Sequence, residues 1–447
     1  MSGPQASGIE PERLLARRLG VFDTTMIVMG GIIGSGIFVN PYVVARQVHT
    51  SFLILGAWAL GGLTALAGAF IYAELAMLRP NLGGQYAYLR EAYHPAVAFL
   101  YGWALLLVMQ TGGMAAVAVT FVRYAKELVA LPVPDGVVAT GVLAALTLVN
   151  CLGVRVGSTV QSALMVLKIA AIAVLIGVGF SVRAVRPVDP MPSEPFSPGL
   201  LLAFGAAVVP VLFAYGGWQT ASFMTGEMRD PRRDLARALV FGVLGVTTIY
   251  ICVNVVCLRT LGPMGLAATV TPAYTVMQTA IGTAGAVFMA AVIAVSTLGF
   301  LSQGMLTAPR IYFAMASDGL FFRFIAWVPK STRVPVAAIV LQGVFASIIA
   351  LAGGYEQILN YVVSIDFIFF GLTGLSLFVF RRKMGAAPEH RTPGHPFTTI
   401  FFVSACWLVV LATFYHYPRN SVVGLGLLLL GIPVYFYWSR RKALAQQ

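Results

Sequence analysis

The chain has 447 residues, of which 59% are hydrophobic and only 10% charged, and its mean hydropathy is +0.86. Soluble domains carry about 25% charged residues, so this composition excludes a large soluble helical protein, which would need polar faces on its helices. The net charge of +13 invites a nucleic-acid reading, but the basic residues gather between apolar stretches, and that distribution argues for membrane topology instead.

Residues 1–20 are polar and include Arg13, Arg17 and Arg18. No short apolar core with a small-residue cleavage site precedes the first apolar stretch, so no cleaved signal peptide is expected. A helix needs roughly 20 apolar residues to cross the hydrocarbon core. Candidate spans run over 22–44, 52–78, 96–122, 137–152, 160–182, 200–225, 239–258, 279–301, 335–351, 358–380, 397–414 and 422–438. Their lengths suit helices, and too few residues alternate for a barrel. The expected fold is therefore an all-α integral membrane protein with twelve transmembrane helices.

If the N-terminus lies inside, the inner connections hold most of the 29 Lys and Arg. This asymmetry places both termini in the cytoplasm. The clusters Arg381-Arg382-Lys383 and Arg440-Arg441-Lys442 then read as topology anchors able to touch anionic lipid. The longest connections are 79–95, 181–198, 259–276, 310–334 and 381–396, which leaves no room for a soluble domain. The first of them carries aromatics with Arg and Glu and reads as a short interfacial helix. Cys151, Cys252, Cys257 and Cys406 fall in or at the ends of spans, where they suit packing and not a disulfide framework or a zinc site. No metal or cofactor is expected.

Two spans depart from plain apolar helix. The first contains MGGIIGSGIF, with Gly30, Gly31, Gly34 and Gly36, and the sixth contains LFAYGGWQ, with Gly216 and Gly217. Each glycine weakens a helix interior by about 1 kcal/mol relative to alanine, so both spans are expected to be unwound at mid-membrane. Gly30 and Gly34 also fit a GxxxG packing face; the matching pair in the sixth span favours the break. The two lie five spans apart, which makes them first members of two five-helix halves of opposite topology. Paired glycine-interrupted spans of this kind point to a substrate site at the midplane.

A broken helix exposes backbone N–H groups at the start of its second half, and these attract a carboxylate together with the helix dipole. The carbonyls ending the first half accept from an ammonium. One site thus offers both signs without a buried ionised side chain, which suits an α-amino acid. Ser35, between two glycines, either donates its hydroxyl to that carboxylate or bonds back to its own helix.

The segments GGIIGSGIFVNP, YAELAMLRPNLGGQYAYLREAY and LFAYGGWQTASFMTGEMRDPRRDLARAL resemble the amino acid–polyamine–organocation superfamily, most closely bacterial homologues of its L-type amino acid transporter branch. The likeness covers residues 18–385 in matching order. It implies a LeuT-like five-plus-five inverted repeat: a first half over 21–182, a second over 199–383, two further helices over 397–438, and cytoplasmic segments at 1–20 and 439–447. It implies that Gly34, Ser35 and Gly36 bind the substrate carboxylate. The carbonyl of Ile32 takes the amine with the backbone around Phe213, Ala214 and Gly216, and Phe213 closes over the substrate. Gln219 stands where eukaryotic members usually have Asn, and Gly31 where a hydroxyl is common. The loop 123–136 lacks the cysteine that joins eukaryotic light chains to a glycoprotein, so no disulfide-linked partner is expected, and the chain would act as a monomer or weak homo-oligomer in the plasma membrane.

Lys168, in the fifth span, is costly in a membrane unless paired or solvated. It either snorkels to the inner surface or, as the resemblance implies, occupies the position of a sodium ion and ties its span to the unwound first one, making transport sodium-independent. Asp366, in the tenth span, is equally costly, and structural pairing and a functional charge stay open as its role. Glu74 reads as a wetted or paired acid. Glu227, Arg229, Asp230, Arg232, Arg233 and Asp234 read as a solvated loop or as ion pairs closing an inner gate. No His/Asp/Ser or metal cluster converges at membrane depth, which argues against an enzyme, and no filter sequence points to a channel. The sequence leaves open a nutrient sensor without flux. The favoured function is exchange of small or medium neutral L-amino acids. The alternative is a proton-coupled or uniport permease for cationic amino acids or polyamines, with Asp366 as counter-charge.

Overall fold

The computed structural model describes residues 17–79, 83–129, 132–181, 197–352, 355–383, 391–416 and 418–444. Among them every regular element is a helix, apart from one isolated bridge between Leu19 and Met228. The first span is two helices, α1 (Val21–Ile32) and α2 (Gly36–Gln47), bent by 42° across 33–35. The break lies inside the glycine run, where helix propensity is lowest. Thr50 caps α3 (Ser51–Leu78) by accepting from the Leu53 amide at 3.3 Å. The first connection holds a short helix, as expected, α4 (Gln85–Ala92). Next, α5 (Pro95–Ala104) passes through a π-helical turn over 105–109 into α6 (Gln110–Leu128), and the Thr111 hydroxyl donates to the Leu106 carbonyl at 2.5 Å in that turn. Such turns mark functional positions within helices. Helices α7 (Asp135–Cys151) and α8 (Val154–Ser181) follow.

The sixth span breaks in a second manner. Helix α9 (Pro198–Ala214) ends in a turn, Gly217 takes φ +101°, and the chain continues as a ten-residue 3-10 helix over Trp218–Glu227. Runs of 3-10 helix this long are uncommon. Beyond it, α10 (Pro231–Ala268) starts under an Asp230 cap, the carboxylate accepting from the Arg233 amide at 3.3 Å. Then come α11 (Pro272–Ile281), α12 (Thr283–Thr307), α13 (Pro309–Ser317), α14 (Val336–Ala352), α15 (Tyr355–Lys383), α16 (Phe397–His416), α17 (Pro418–Leu429) and α18 (Gly431–Leu444).

Two sequence expectations are corrected here. The helix over the span expected at 239–258 starts earlier, at Pro231, and kinks at Gly262 (φ +68°, ψ 170°) before its last stretch to Ala268. The connections expected at 259–276 and 310–334 hold the rest of α10, with α11 and α13. Proline is tolerated in the first helical turn, where its missing N–H has no intrahelical partner; Pro272 and Pro309 therefore start helices in segments that read as loops.

Nine helices among the described residues are long and apolar enough to cross a membrane, ten if the bent α1–α2 pair is one span. The shorter apolar helices at Asp135–Cys151 and Val336–Leu351 fall at the fourth and ninth expected positions. Large apolar side chains such as Leu148, Leu202, Leu408 and Leu411 stud the outer faces, a surface for hydrocarbon and not for water.

Ion pairs gather at the end of the molecule where α1 begins. Glu74 holds Arg381 through two bonds of 2.8 Å each and also accepts from the Thr392 amide at 2.6 Å. Arg381, expected as a lipid-facing anchor, is thus a structural partner of α3. Arg79 pairs with Glu91 at 2.5 Å, and Arg90 pairs with Asp318, which also accepts from the Tyr86 hydroxyl at 2.8 Å. The Asp318 carboxylate raises the basicity of Arg90 against the opposing effect of its burial. These bonds fasten α4 to the end of α13.

Candidate functional site

The two broken spans meet at their glycines. A Cβ on Gly31 would lie 2.4 Å from the Gly217 carbonyl oxygen, and one on Gly217 would lie 2.1 Å from the Gly31 carbonyl oxygen. Both distances are far below contact, so the backbones touch only because neither residue has a side chain. Gly31 is thus a helix-contact position. The next contact along is between Gly36 and Ala214, whose methyl carbon a Cβ on Gly36 would meet at 3.2 Å. Asn40 of α2 donates to the Pro210 carbonyl of α9 at 2.7 Å.

The carbonyls released by the first break are taken up by three other helices. Tyr250 of α10 donates to Ile32 at 3.1 Å and lies 3.2 Å from the Ala214 carbonyl, so one hydroxyl stands between the two breaks. Lys168 of α8, fully buried, donates to the Ile33 carbonyl. Ser296 of α12 donates to Gly34 at 3.2 Å. The first half of the span is thereby fixed, while the N-terminus of α2 faces open space. Its first amides have no acceptor within the helix, and the Ser35 side chain makes no capping bond to them.

That open space is a cavity of about 550 Å³. Ile32, Gly34, Ser35 and Gly36 line it from the first span, and Phe213, Ala214, Gly216 and Gln219 from the sixth. All eight substrate positions expected from the sequence are therefore brought to one wall system. Phe213 is 36% exposed at its edge. Gln219 accepts from the Gly217 amide at 3.0 Å, so its side chain is turned back on the turn it follows. Val39, Asn40, Tyr42 and Val43 continue the lining along α2, so the cavity extends away from the end where α1 begins.

Lys168 lies behind this wall and does not line it. Its complete burial rules out snorkelling. Asp366 does line it, and no hydrogen bond or ion pair holds it among the described residues. Glu227, expected either in a solvated loop or in an ion pair closing an inner gate, is fully buried and pairs with the equally buried Arg310 at 2.7 Å. No group of three or more His, Cys, Asp or Glu able to hold a metal occurs among the described residues.

Tyr250, Ser296, Asn40 and Gln303 were not singled out in the sequence. Their one signal is a polar side chain inside an apolar span, and only the fold shows which of many such residues reach the breaks. Gln303 donates to Thr220, which in turn donates to the Gly217 carbonyl at 2.7 Å, holding the sixth-span turn from α12. Tyr250→Phe is expected to lower the transport kcat/KM about tenfold, since one buried hydrogen bond contributes about 1 kcal/mol and here an acceptor is left bare. Initial uptake rates in proteoliposomes would measure this, and an unchanged rate would show that the hydroxyl is dispensable.

The model of the amino acid permease family matches residues 19–437. The chain belongs to the amino acid permease family. The match takes in both breaks and all the cavity walls, and it agrees with the superfamily and branch expected from the motifs. The permease is 30% identical to the serine/threonine exchanger SteT of Bacillus subtilis, over 96% of this chain and 98% of that protein. It is 29% identical to the human large neutral amino acids transporter small subunit 2, over 96% of this chain and 82% of that one. It is likewise 29% identical to the mouse Asc-type amino acid transporter 1, over 94% and 81%. These relatives are transporters, not enzymes.

Proposed function

We propose that this permease exchanges small or medium neutral L-amino acids across the plasma membrane by alternating access, without sodium. The observation that carries this reading is the convergence of two broken helices on one cavity. The amides at the start of α2 and the Ser35 hydroxyl receive the carboxylate. The amine is received by the carbonyls that end α1 and α9. Ile32, although it accepts from Tyr250, keeps a second lone pair for this. Phe213 closes over the bound substrate. The names of the relatives, a serine/threonine exchanger and large neutral amino acid transporters, support the substrate class.

Lys168 supports the independence from sodium. Its ammonium already satisfies a carbonyl of the break, which is the electrostatic task of a bound cation. The topology that fits this reading has twelve helices in two inverted halves of five, 21–182 and 199–383, followed by 397–438. Residues 1–20 and 439–447 then lie in the cytoplasm. With that orientation the cavity faces outward, and the ion pairs at the other end close the inner side. Free cysteines lying in or at the ends of spans fit a chain that works without a disulfide-linked partner.

The test is uptake of labelled neutral amino acids into proteoliposomes, in sodium-free buffer, with cationic amino acids as comparators. Uptake confined to vesicles preloaded with unlabelled substrate is the expected result. Uptake that needs sodium, or that selects only cationic compounds, would overturn the proposal.

A further inference from the structure

A second cavity, of about 310 Å³, lies at the end of the molecule where α1 begins, far in chemistry from the first. Its lining is Arg18, Asp23, Arg155, Ser158, Thr159 and Arg229. Three guanidiniums thus face one carboxylate. None of the three has a carboxylate partner among the described residues, whereas Arg79, Arg90, Arg310 and Arg381 all do. Asp23 is already turned towards the Gly20 amide, at 3.4 Å.

We infer that this cavity is a binding site for a phosphate-bearing anion, and that the anion favours the conformation in which this end is closed. The chemistry fits in three respects. Guanidiniums present planar pairs of donors that match phosphate oxygens better than any other side chain. Thr159 adds a hydroxyl donor, while the Ser158 hydroxyl already donates to the Arg155 carbonyl at 3.2 Å; with Arg155 both stand near the start of α8, where the helix dipole also favours negative charge. The volume exceeds that of a bare phosphate and leaves room for the group it esterifies.

The dependence on conformation follows from where the arginines come from. Arg18 precedes α1, Arg155 belongs to α8, and Arg229 precedes α10. The first and last are held together by a short backbone ladder: the amides of Arg18 and Leu19 donate to the Glu227 carbonyl at 2.9 and 3.0 Å, and the Arg229 amide donates to the Leu19 carbonyl at 2.9 Å. Under the alternating-access reading, on which this part rests, opening this end separates α1 from the 3-10 helix and breaks the ladder. Arg18 and Arg229 then part, and the site loses a guanidinium. A ligand that binds one state better shifts the population towards it.

The phosphate can come from a lipid headgroup or from solution, and the experiment separates the two. The thermal unfolding midpoint of the full chain in a neutral detergent would be followed at constant ionic strength, titrating inorganic phosphate, short-chain phosphatidylglycerol or short-chain phosphatidylcholine. The expected result is a rise of several degrees with phosphatidylglycerol, with inorganic phosphate, or with both, and none with phosphatidylcholine. The rise should be lost in Arg155→Gln and in Thr159→Glu, which places a carboxylate at the rim of the cavity. It should persist in Arg382→Gln, which removes one positive charge elsewhere. Stabilisation of each variant by substrate reports that it is folded. No rise with either anion, or equal loss in Arg382→Gln, would overturn the site. Unchanged exchange rates in phosphatidylglycerol vesicles beside a lost thermal shift would overturn only the conformational part. A failure of neutral amino acid exchange itself would leave the anion shift in place and strike the transport reading alone.

Discussion

Gly217→Ala is expected to reduce exchange at least 100-fold while leaving the protein inserted and monodisperse. Two penalties combine at this residue. Its φ of +101° lies where an L side chain is strained, which costs about 1–3 kcal/mol. Its Cβ would stand 2.1 Å from the Gly31 oxygen and 2.6 Å from the Gly31 carbonyl carbon, so the two breaks must move apart. Overpacking of this kind costs about 1–3 kcal/mol more, and about 3 kcal/mol in the competent geometry is about 100-fold in activity. Gly31→Ala should act in the same direction, its Cβ meeting the Gly217 oxygen at 2.4 Å from the other side. Gly177→Ala, on α8, has nothing within 4 Å of its added carbon and should exchange normally. Initial rates in proteoliposomes, scaled to reconstituted protein, decide the matter. A Gly217→Ala protein working at the parental rate would show that the glycine contact is not what holds the site.

That contact also shows how far the sequence could be read. The glycine runs at 30–36 and 216–217 announce two weak helices without any knowledge of their neighbours, because propensity is local. That the runs touch, and that they touch at Gly31 and Gly217, depends on the angle at which α1 and α9 cross, which no local pattern encodes. Lys168 was conspicuous because a lysine among aliphatic residues is costly in hydrocarbon; its acceptor, the Ile33 carbonyl, exists only once the helix has broken. Tyr250 carried no such warning, since a tyrosine in an apolar span is unremarkable until its hydroxyl is found between two carbonyls. Errors went the other way at the span ends. Arg310 falls at the start of a stretch that reads as a connection, and Glu227 reads either as solvated loop or as a gate-closing ion pair, because charge usually marks the end of a span. Pro309 begins α13 and carries Arg310 inward, where both charges are buried against each other.

The Glu227–Arg310 pair should behave as one unit. Both side chains are wholly inaccessible, and the Glu227 backbone carbonyl also anchors Arg18 and Leu19, so this residue joins the start of α1 to the start of α13. The pair is imperfectly satisfied: the Nε–Oε1 bond is 2.7 Å, but the second carboxylate oxygen and both terminal nitrogens of Arg310 have no partner among the described residues. A buried pair of this quality adds little net stability, yet removing one member leaves an uncompensated charge and costs about 3–5 kcal/mol. Glu227→Ala and Arg310→Met should therefore each lower the thermal midpoint sharply. The double variant Glu227→Met with Arg310→Met should recover most of that loss, because two apolar side chains replace two desolvated charges. If the pair also closes this end during exchange, the recovered double variant will still transport poorly, with its cavity accessible from the wrong side. A thiol-reactive probe applied from either face, to a cysteine placed at Ser35, reads that accessibility. Additive losses in the double variant would show that the two residues do not act together, and the gate assigned to them would fall with that result.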